Sequence, residues 1–119
     1  MKKTIVLGAT PNPERYANMA VRRLLQHGHE VTPVGIKTGT INGLEILQGM
    51  PMVENVDTVT LYVGPERQPA YYDYLLELHP KRIIFNPGTE NEELAKLAEK
   101  NGIETIEACT LVMLSINAY

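Results

Sequence analysis

Tryptophan is absent from this 119-residue chain, and phenylalanine and cysteine occur once each. A lone cysteine excludes an internal disulfide framework and leaves no zinc-finger spacing, as expected of a protein kept in a reducing compartment. Neither sign of charge dominates: 11 Lys and Arg face 14 Asp and Glu, for a formal net charge of -3. That mixture carries no electrostatic footprint for nucleic acid or an anionic membrane. Long apolar runs are missing too. After Met1-Lys2-Lys3 the first run lasts only from Ile5 to Ala9, too short for a signal-peptide core, and nothing later approaches membrane-spanning length. These absences predict a soluble cytoplasmic protein with neither nucleic acid nor membrane as partner.

What is present begins with a strand, a loop and a helix. The β-branched apolar run Ile5, Val6, Leu7 stops at Gly8; a turn with two prolines follows, and Ala17, Ala20, Val21, Leu24 and Leu25 then recur at helical spacing. This is the opening unit of a Rossmann-like sheet, whose first loop faces the phosphates of a nucleotide. In the dinucleotide fingerprint the second and third glycines allow close backbone approach and tight packing. Thr10 and Pro13 stand at those places here. Thr10 and Asn12 offer side-chain donors instead, and the helix offers free N–H groups near Arg15 and Tyr16, so the loop suits an anion held differently from an NAD pyrophosphate. A glycine that merely relieves a crowded turn accounts for Gly8 equally well.

The second strand, Glu30 to Val34, runs into Gly35-Ile36-Lys37-Thr38-Gly39-Thr40. An NAD-binding domain carries an Asp or Glu here to accept from the ribose hydroxyls. None lies between Val31 and Ile41. Lys37, with hydroxyls beside it, favours a phosphorylated ribose, which coenzyme A and NADP both possess. A surface lysine in a loop is the plain alternative.

With 44% hydrophobic residues the chain is long enough for one domain, residues 1–119, burying roughly 65% of its unfolded surface. Residues 41–57 are irregular, and Leu44 to Leu47 reads either as a helical turn or as an edge strand. Thr58 to Val63 and Arg82 to Asn86 are apolar strands closed by Gly64-Pro65 and Pro87-Gly88, and Glu104 to Glu107 is a fifth. Between them Glu66 to Pro69 leads into a predicted helix ending near Leu78, with Tyr72, Leu75 and Leu76, and Tyr71 beside them, facing the sheet; the spacing predicts another from Glu90 to Lys100, and a short one starts at Leu111. Five strands alternating with helices predict an α/β fold: a mostly parallel sheet of order 3-2-1-4-5 with helices on both faces. His27 and His29 read as solvated helix-end residues, Glu90, Glu92 and Glu93 as complements to a helix dipole, and Cys109 as a small structural cysteine. A ligand lying across the strand ends would have its anionic head near Gly8 and Lys37 and a neutral tail near Asn86 to Thr89.

The ordered motifs G-A-T-P-N-P-E-R-Y, V-T-P-V-G-I-K, V-T-L-Y-V-G-P, I-I-F-N-P-G-T-E-N-E-E-L and E-A-C-T-L resemble the small CoA-binding proteins related to the amino-terminal CoA-binding domain of the succinyl-CoA synthetase alpha subunit. The resemblance covers nearly the whole chain. It implies that Gly8, Ala9, Thr10, Asn12, Arg15 and Tyr16, with Pro33, Val34, Gly35 and Lys37, hold the nucleotide part of coenzyme A or an acyl-CoA. By the same carry-over Tyr62, Val63, Gly64 and Arg67 line the adenine or diphosphate region, and Asn86, Pro87 and Gly88 lie near the pantetheine. Gly35 stands where many relatives have Asn. No counterpart of the synthetase's phosphorylated histidine lies within this sequence, so the resemblance implies binding of a small nucleotide ligand, with no ligase chemistry by this chain alone. An NADP-binding oxidoreductase fragment, and an interaction subunit that packs Leu111 to Leu114 against a protein partner or a second copy, are the other readings.

Overall fold

The computed structural model describes residues 1–119. Strand β1 (Thr4–Leu7) is wholly buried, as its β-branched run requires. Helix α1 (Tyr16–Gln26) follows and ends where Gly28 takes a φ of +82°. After β2 (Val31–Val34) comes a small antiparallel hairpin, β3 (Thr40–Ile41) and β4 (Leu44–Glu45). Asn42 and Gly43, both at positive φ, make its turn. Then follow β5 (Thr58–Leu61), a 3₁₀ turn over Gln68–Tyr71, α2 (Tyr72–Leu78) and β6 (Arg82–Phe85). The chain finishes with α3 (Glu92–Lys100), β7 (Glu104–Glu107) and α4 (Thr110–Ser115).

The five-stranded parallel sheet and the two helical layers are those expected. One face carries Ile5, Leu7, Val59, Leu61, Ile83 and Phe85 against Leu75 and Leu78 of α2 and Leu94 and Ala98 of α3. The alternate residues Val6 and Val31 meet Val21 and Leu24 of α1 and Leu114 of α4. Each fully buried Leu or Ile in these layers contributes about 2 kcal/mol of transfer free energy.

The strand order departs from the expected 3-2-1-4-5. It is β2-β1-β5-β6-β7, so the strand expected at the far edge lies in the middle, beside β1. The cause is the connection after β2, which contains no helix to carry the chain outward. Instead it rounds the β2 edge, where the Gly35 N–H donates to the Leu47 carbonyl and the Leu47 N–H to the Pro33 carbonyl, both at 2.9 Å. It then returns to the foot of β1, where the Asp57 N–H meets the Lys3 carbonyl at 2.8 Å. Connections therefore reverse direction between β1 and β5, and that is the switch point at which such sheets take ligands.

Two further expectations are corrected. Pro69 starts a 3₁₀ turn, so α2 begins at Tyr72 and its phase buries Tyr74 and Leu78 along with the expected Leu75, while Tyr71, Tyr72 and Leu76 pack half-buried against the same core. The Tyr74 hydroxyl donates to the Pro51 carbonyl at 2.6 Å and ties down the long connection. His29 is half-buried at the foot of the sheet, where its Nδ1 accepts from the Lys2 N–H at 2.9 Å and its ring lies 4.9 Å from that of Tyr119. Tyr119 is in turn held by the Thr4 hydroxyl at 2.7 Å and by the Arg82 guanidinium 4.5 Å above its ring.

Candidate functional site

The carboxyl ends of β1, β2 and β5 surround an open cavity of about 380 Å³. Its walls are loops that lean on one another. Gly8, at a φ of +101°, turns the chain so that its own N–H and that of Ala9 both reach the Val34 carbonyl, at 2.8 and 2.9 Å. Gly35 lies so close to the Ala9 carbonyl that a Cβ there would overlap it, and a Cβ on Gly39 would stand 2.8 Å from Pro11. These glycines join the first loop to the second.

The first loop is stiffened from within. The Asn12 carboxamide oxygen accepts from the Glu14 N–H at 3.0 Å, and the buried Asn18 donates from Nδ2 to the Thr10 carbonyl at 2.9 Å. Arg22 braces Asn18 through Nε at 2.8 Å and reaches the Pro13 carbonyl at 3.0 Å. Helix α1 has no side-chain cap, so its first N–H groups remain free beside the cavity, and Tyr16 and Ala17 line it.

Three cations, Arg15, Lys37 and Arg67, also line the cavity, and no carboxylate does. All three are exposed, and none takes part in the molecule's ion pairs, which join Lys3 to Glu30 and Lys96 to Glu92. Tyr16 is 70% exposed and Ile36 67%, unusual for side chains of their size, and both stand at this rim. An anion carrying a flat apolar group meets both requirements.

Of the residues singled out in the sequence, the structure gathers Gly8, Ala9, Thr10, Arg15, Tyr16, Gly35, Lys37, Tyr62, Val63 and Arg67 around one space. Asn12 lies on the outside of the first loop, Pro33 and Val34 are buried in β2, and Gly64 packs against the Glu66 carboxylate. Pro87 and Gly88 sit exposed beyond the next strand, with the Gly88 N–H held by Glu90 at 2.9 Å. Asn86 is 2% exposed and wholly engaged within the fold. Its Nδ2 donates to the Thr60 hydroxyl at 2.6 Å and the Leu61 carbonyl at 2.8 Å, while its Oδ1 accepts from the Thr110 N–H at 2.9 Å. Ala17, Ile36 and Tyr71 join the lining unannounced by the sequence. Of these only Ile36, an isolated apolar residue in a polar loop, left a legible signal.

Tyr62 lines the cavity while its hydroxyl is buried without a hydrogen-bond partner. The nearby Thr60 and Thr110 hydroxyls are engaged with each other at 2.7 Å. Burial pushes the phenol's pKa well up, against small opposing contributions from those two threonines. This phenol stays neutral at physiological pH.

A parallel sheet with an uncapped helix and three free cations at its switch point defines a Rossmann-like domain with an anion-receptive rim. The chain belongs to the CoA binding domain family, whose profile matches residues 2–115. A solved structure described only as an uncharacterized protein is 55% identical, covering 100% of this chain and 98% of its own with a TM-score of 0.98. A conserved hypothetical protein from Pyrococcus furiosus is 31% identical over 94% of this chain and 98% of its own, with a TM-score of 0.81. The fold recurs in the dinucleotide-forming acetyl-coenzyme A synthetase 1 of Ca. Korarchaeum cryptofilum, at 21% identity over 87% of this chain and 25% of the synthetase, with a TM-score of 0.69. No curated protein matches the chain.

Proposed function

We propose that residues 1–119 act as a single binding domain for coenzyme A or an acyl-CoA ester, in a regulatory or accessory capacity. The observation that carries this reading is the ring of three unpaired cations, Arg15, Lys37 and Arg67, around a cavity with no carboxylate in its lining. Family membership supports the choice of ligand. In this reading the diphosphate takes the free N–H groups of α1 together with Arg15, and Lys37 takes the 3′-phosphate. Tyr16 and Ile36 offer their exposed faces to the adenine. A cavity of about 380 Å³ accommodates the nucleotide end and leaves the pantetheine to run outside it, over Pro87 and Gly88. The protein's role is then to hold the nucleotide while the acyl end stays accessible.

Titration calorimetry with coenzyme A, 3′-dephospho-coenzyme A, NADP and NAD tests the reading. Coenzyme A is expected to bind best, and loss of its 3′-phosphate to weaken binding about tenfold, on the order of 1.4 kcal/mol. Lys37→Ala should erase that difference with an unchanged melting temperature. Equal losses for both forms would remove Lys37 from phosphate recognition. Absence of binding by all four would leave the interaction-subunit reading in its place.

A further inference from the structure

We propose that Gln68 is a positioning residue for the rim: it holds in place the loop that presents Arg67, and through Arg67 it sets the affinity for the phosphates of coenzyme A. The assignment rests on the coenzyme A reading above and adds the residue that readies one of its three cations. Arg67 stands on the short loop between β5 and the 3₁₀ turn, where residues 64–67, 69 and 70 are all half-buried or exposed. Gln68 alone among them is buried, at 1% exposure. Glutamine is seldom buried so completely, because its carboxamide must replace every bond it leaves in water.

Here the replacements come from three sides. Nε2 of Gln68 donates to the Val63 carbonyl at 2.9 Å and to the Thr89 carbonyl at 2.7 Å, and Oε1 accepts from Asn91 Nδ2 at 2.9 Å. Neither carbonyl has another partner within the chain. The orientation of the carboxamide is dictated from behind. Asn91 turns its Oδ1 to the Leu94 N–H as the cap of α3, so its Nδ2 is left to face Gln68 and the Tyr72 hydroxyl. Gln68 must then offer Oε1 to Asn91 and Nε2 to the two carbonyls. One side chain thus closes the segment Val63 to Gln68 on itself and fastens it to Thr89 beyond β6, while the Arg67 N–H completes the turn on the Gly64 carbonyl at 3.0 Å.

The other two cations are braced elsewhere. The Arg15 N–H donates to the Asn12 carbonyl at 3.2 Å, on the loop that Asn18 stiffens, and the loop of Lys37 is held by Gln48 Nε2 on the Ile36 carbonyl at 2.9 Å. Gln68 therefore acts on Arg67 and not on the rim as a whole. A guanidinium whose loop is already ordered meets an anion without the entropic cost of ordering it on binding.

Calorimetric titration of coenzyme A into the full chain and its variants, arranged as double-mutant cycles, tests this role. Arg67→Ala is expected to weaken binding about tenfold in the wild type, through loss of a charge-assisted contact. Once Gln68→Met has freed the loop, the same substitution should cost no more than about twofold. Lys37→Ala should weaken binding by the same factor in both backgrounds. Asn91→Asp keeps the α3 cap while removing the donor that orients Gln68; it should shrink the Arg67→Ala loss in the same way, and it stands in if Gln68→Met does not fold. Equal Arg67→Ala losses in every background, or no loss in the wild type, would overturn the role of Gln68. So would an equal shrinkage of the Arg67→Ala and Lys37→Ala losses, which is what general loosening of the cavity produces. A wild type that binds no coenzyme A would overturn the coenzyme A reading itself, and this role with it.

Discussion

Gly8 faces the main chain of Tyr62 so closely that a Cβ on Gly8 would stand 2.8 Å from the Tyr62 carbonyl oxygen. The glycine is therefore required by the end of β5, whatever the cavity holds. Gly8→Ala combines this clash with a φ of +101°, and a cost of about 2–3 kcal/mol is expected. A thermal melt should show a drop of roughly 10 °C. An unchanged melting temperature would mean that the two strand ends separate freely.

Asn86 joins β5, β6 and the start of α4 at a depth where the only other side-chain polar link among them is the Thr60–Thr110 hydroxyl pair. Replacing it with Ala leaves the Thr110 N–H and the Leu61 carbonyl buried without this partner, a loss of about 2–4 kcal/mol. Denaturant unfolding should show the midpoint falling while affinity for ligand, measured well below that midpoint, changes little. Strong loss of affinity at full folding would instead put Asn86 in contact with ligand.

Tyr62→Phe tests the unpaired phenol. Because the hydroxyl is buried without a partner, its removal should leave stability unchanged or raise it by about 1 kcal/mol. A fall of that size in urea unfolding would show that the hydroxyl is hydrogen-bonded in solution.

His29 makes stability depend on pH. Burial, then the neighbouring amino terminus, His27, Lys2 and Arg82, lower its pKa from the ordinary value of 6.5. The unfolded chain therefore binds the proton more readily than the folded one, and the contribution of neutral His29 is complete above pH 6.5 and lost as pH falls below it. His29→Asn preserves an acceptor for the Lys2 N–H without titrating. Its melting temperature should decline less than the wild type's between pH 7 and pH 5. Parallel curves would exclude His29 as the source.

The sequence displays its strands plainly because runs such as Thr4 to Leu7 and Arg82 to Phe85 are buried on both faces and must be apolar throughout. It displays the rim residues Gly8, Gly35 and Lys37 for the same reason: strand ends are marked by a change of composition. Strand order is less legible, being decided by the path of residues 35–57, whose two-residue hairpin strands and edge bridge rest on a few backbone bonds with weak sequence signals. Tyr74 was hidden by a change of helical phase at Pro69. The role of Asn86 was hidden because a side chain that bonds Thr110 looks the same in sequence as one that awaits a ligand. Ala17 and Tyr71 reach the cavity through tertiary packing that spacing along the chain does not encode.

The hairpin of β3 and β4 has a practical corollary. Its Asn42-Gly43 turn points into open space, with nothing within 4 Å of where a Gly43 Cβ would lie. The base of the hairpin, by contrast, is fastened to the second loop by the Ile46 N–H on the Gly39 carbonyl at 2.9 Å. A dye or a short epitope grafted at the tip would thus ride on the segment that carries Lys37 without entering its cavity. Such a graft would turn the hairpin tip into a reporter on occupancy of the rim.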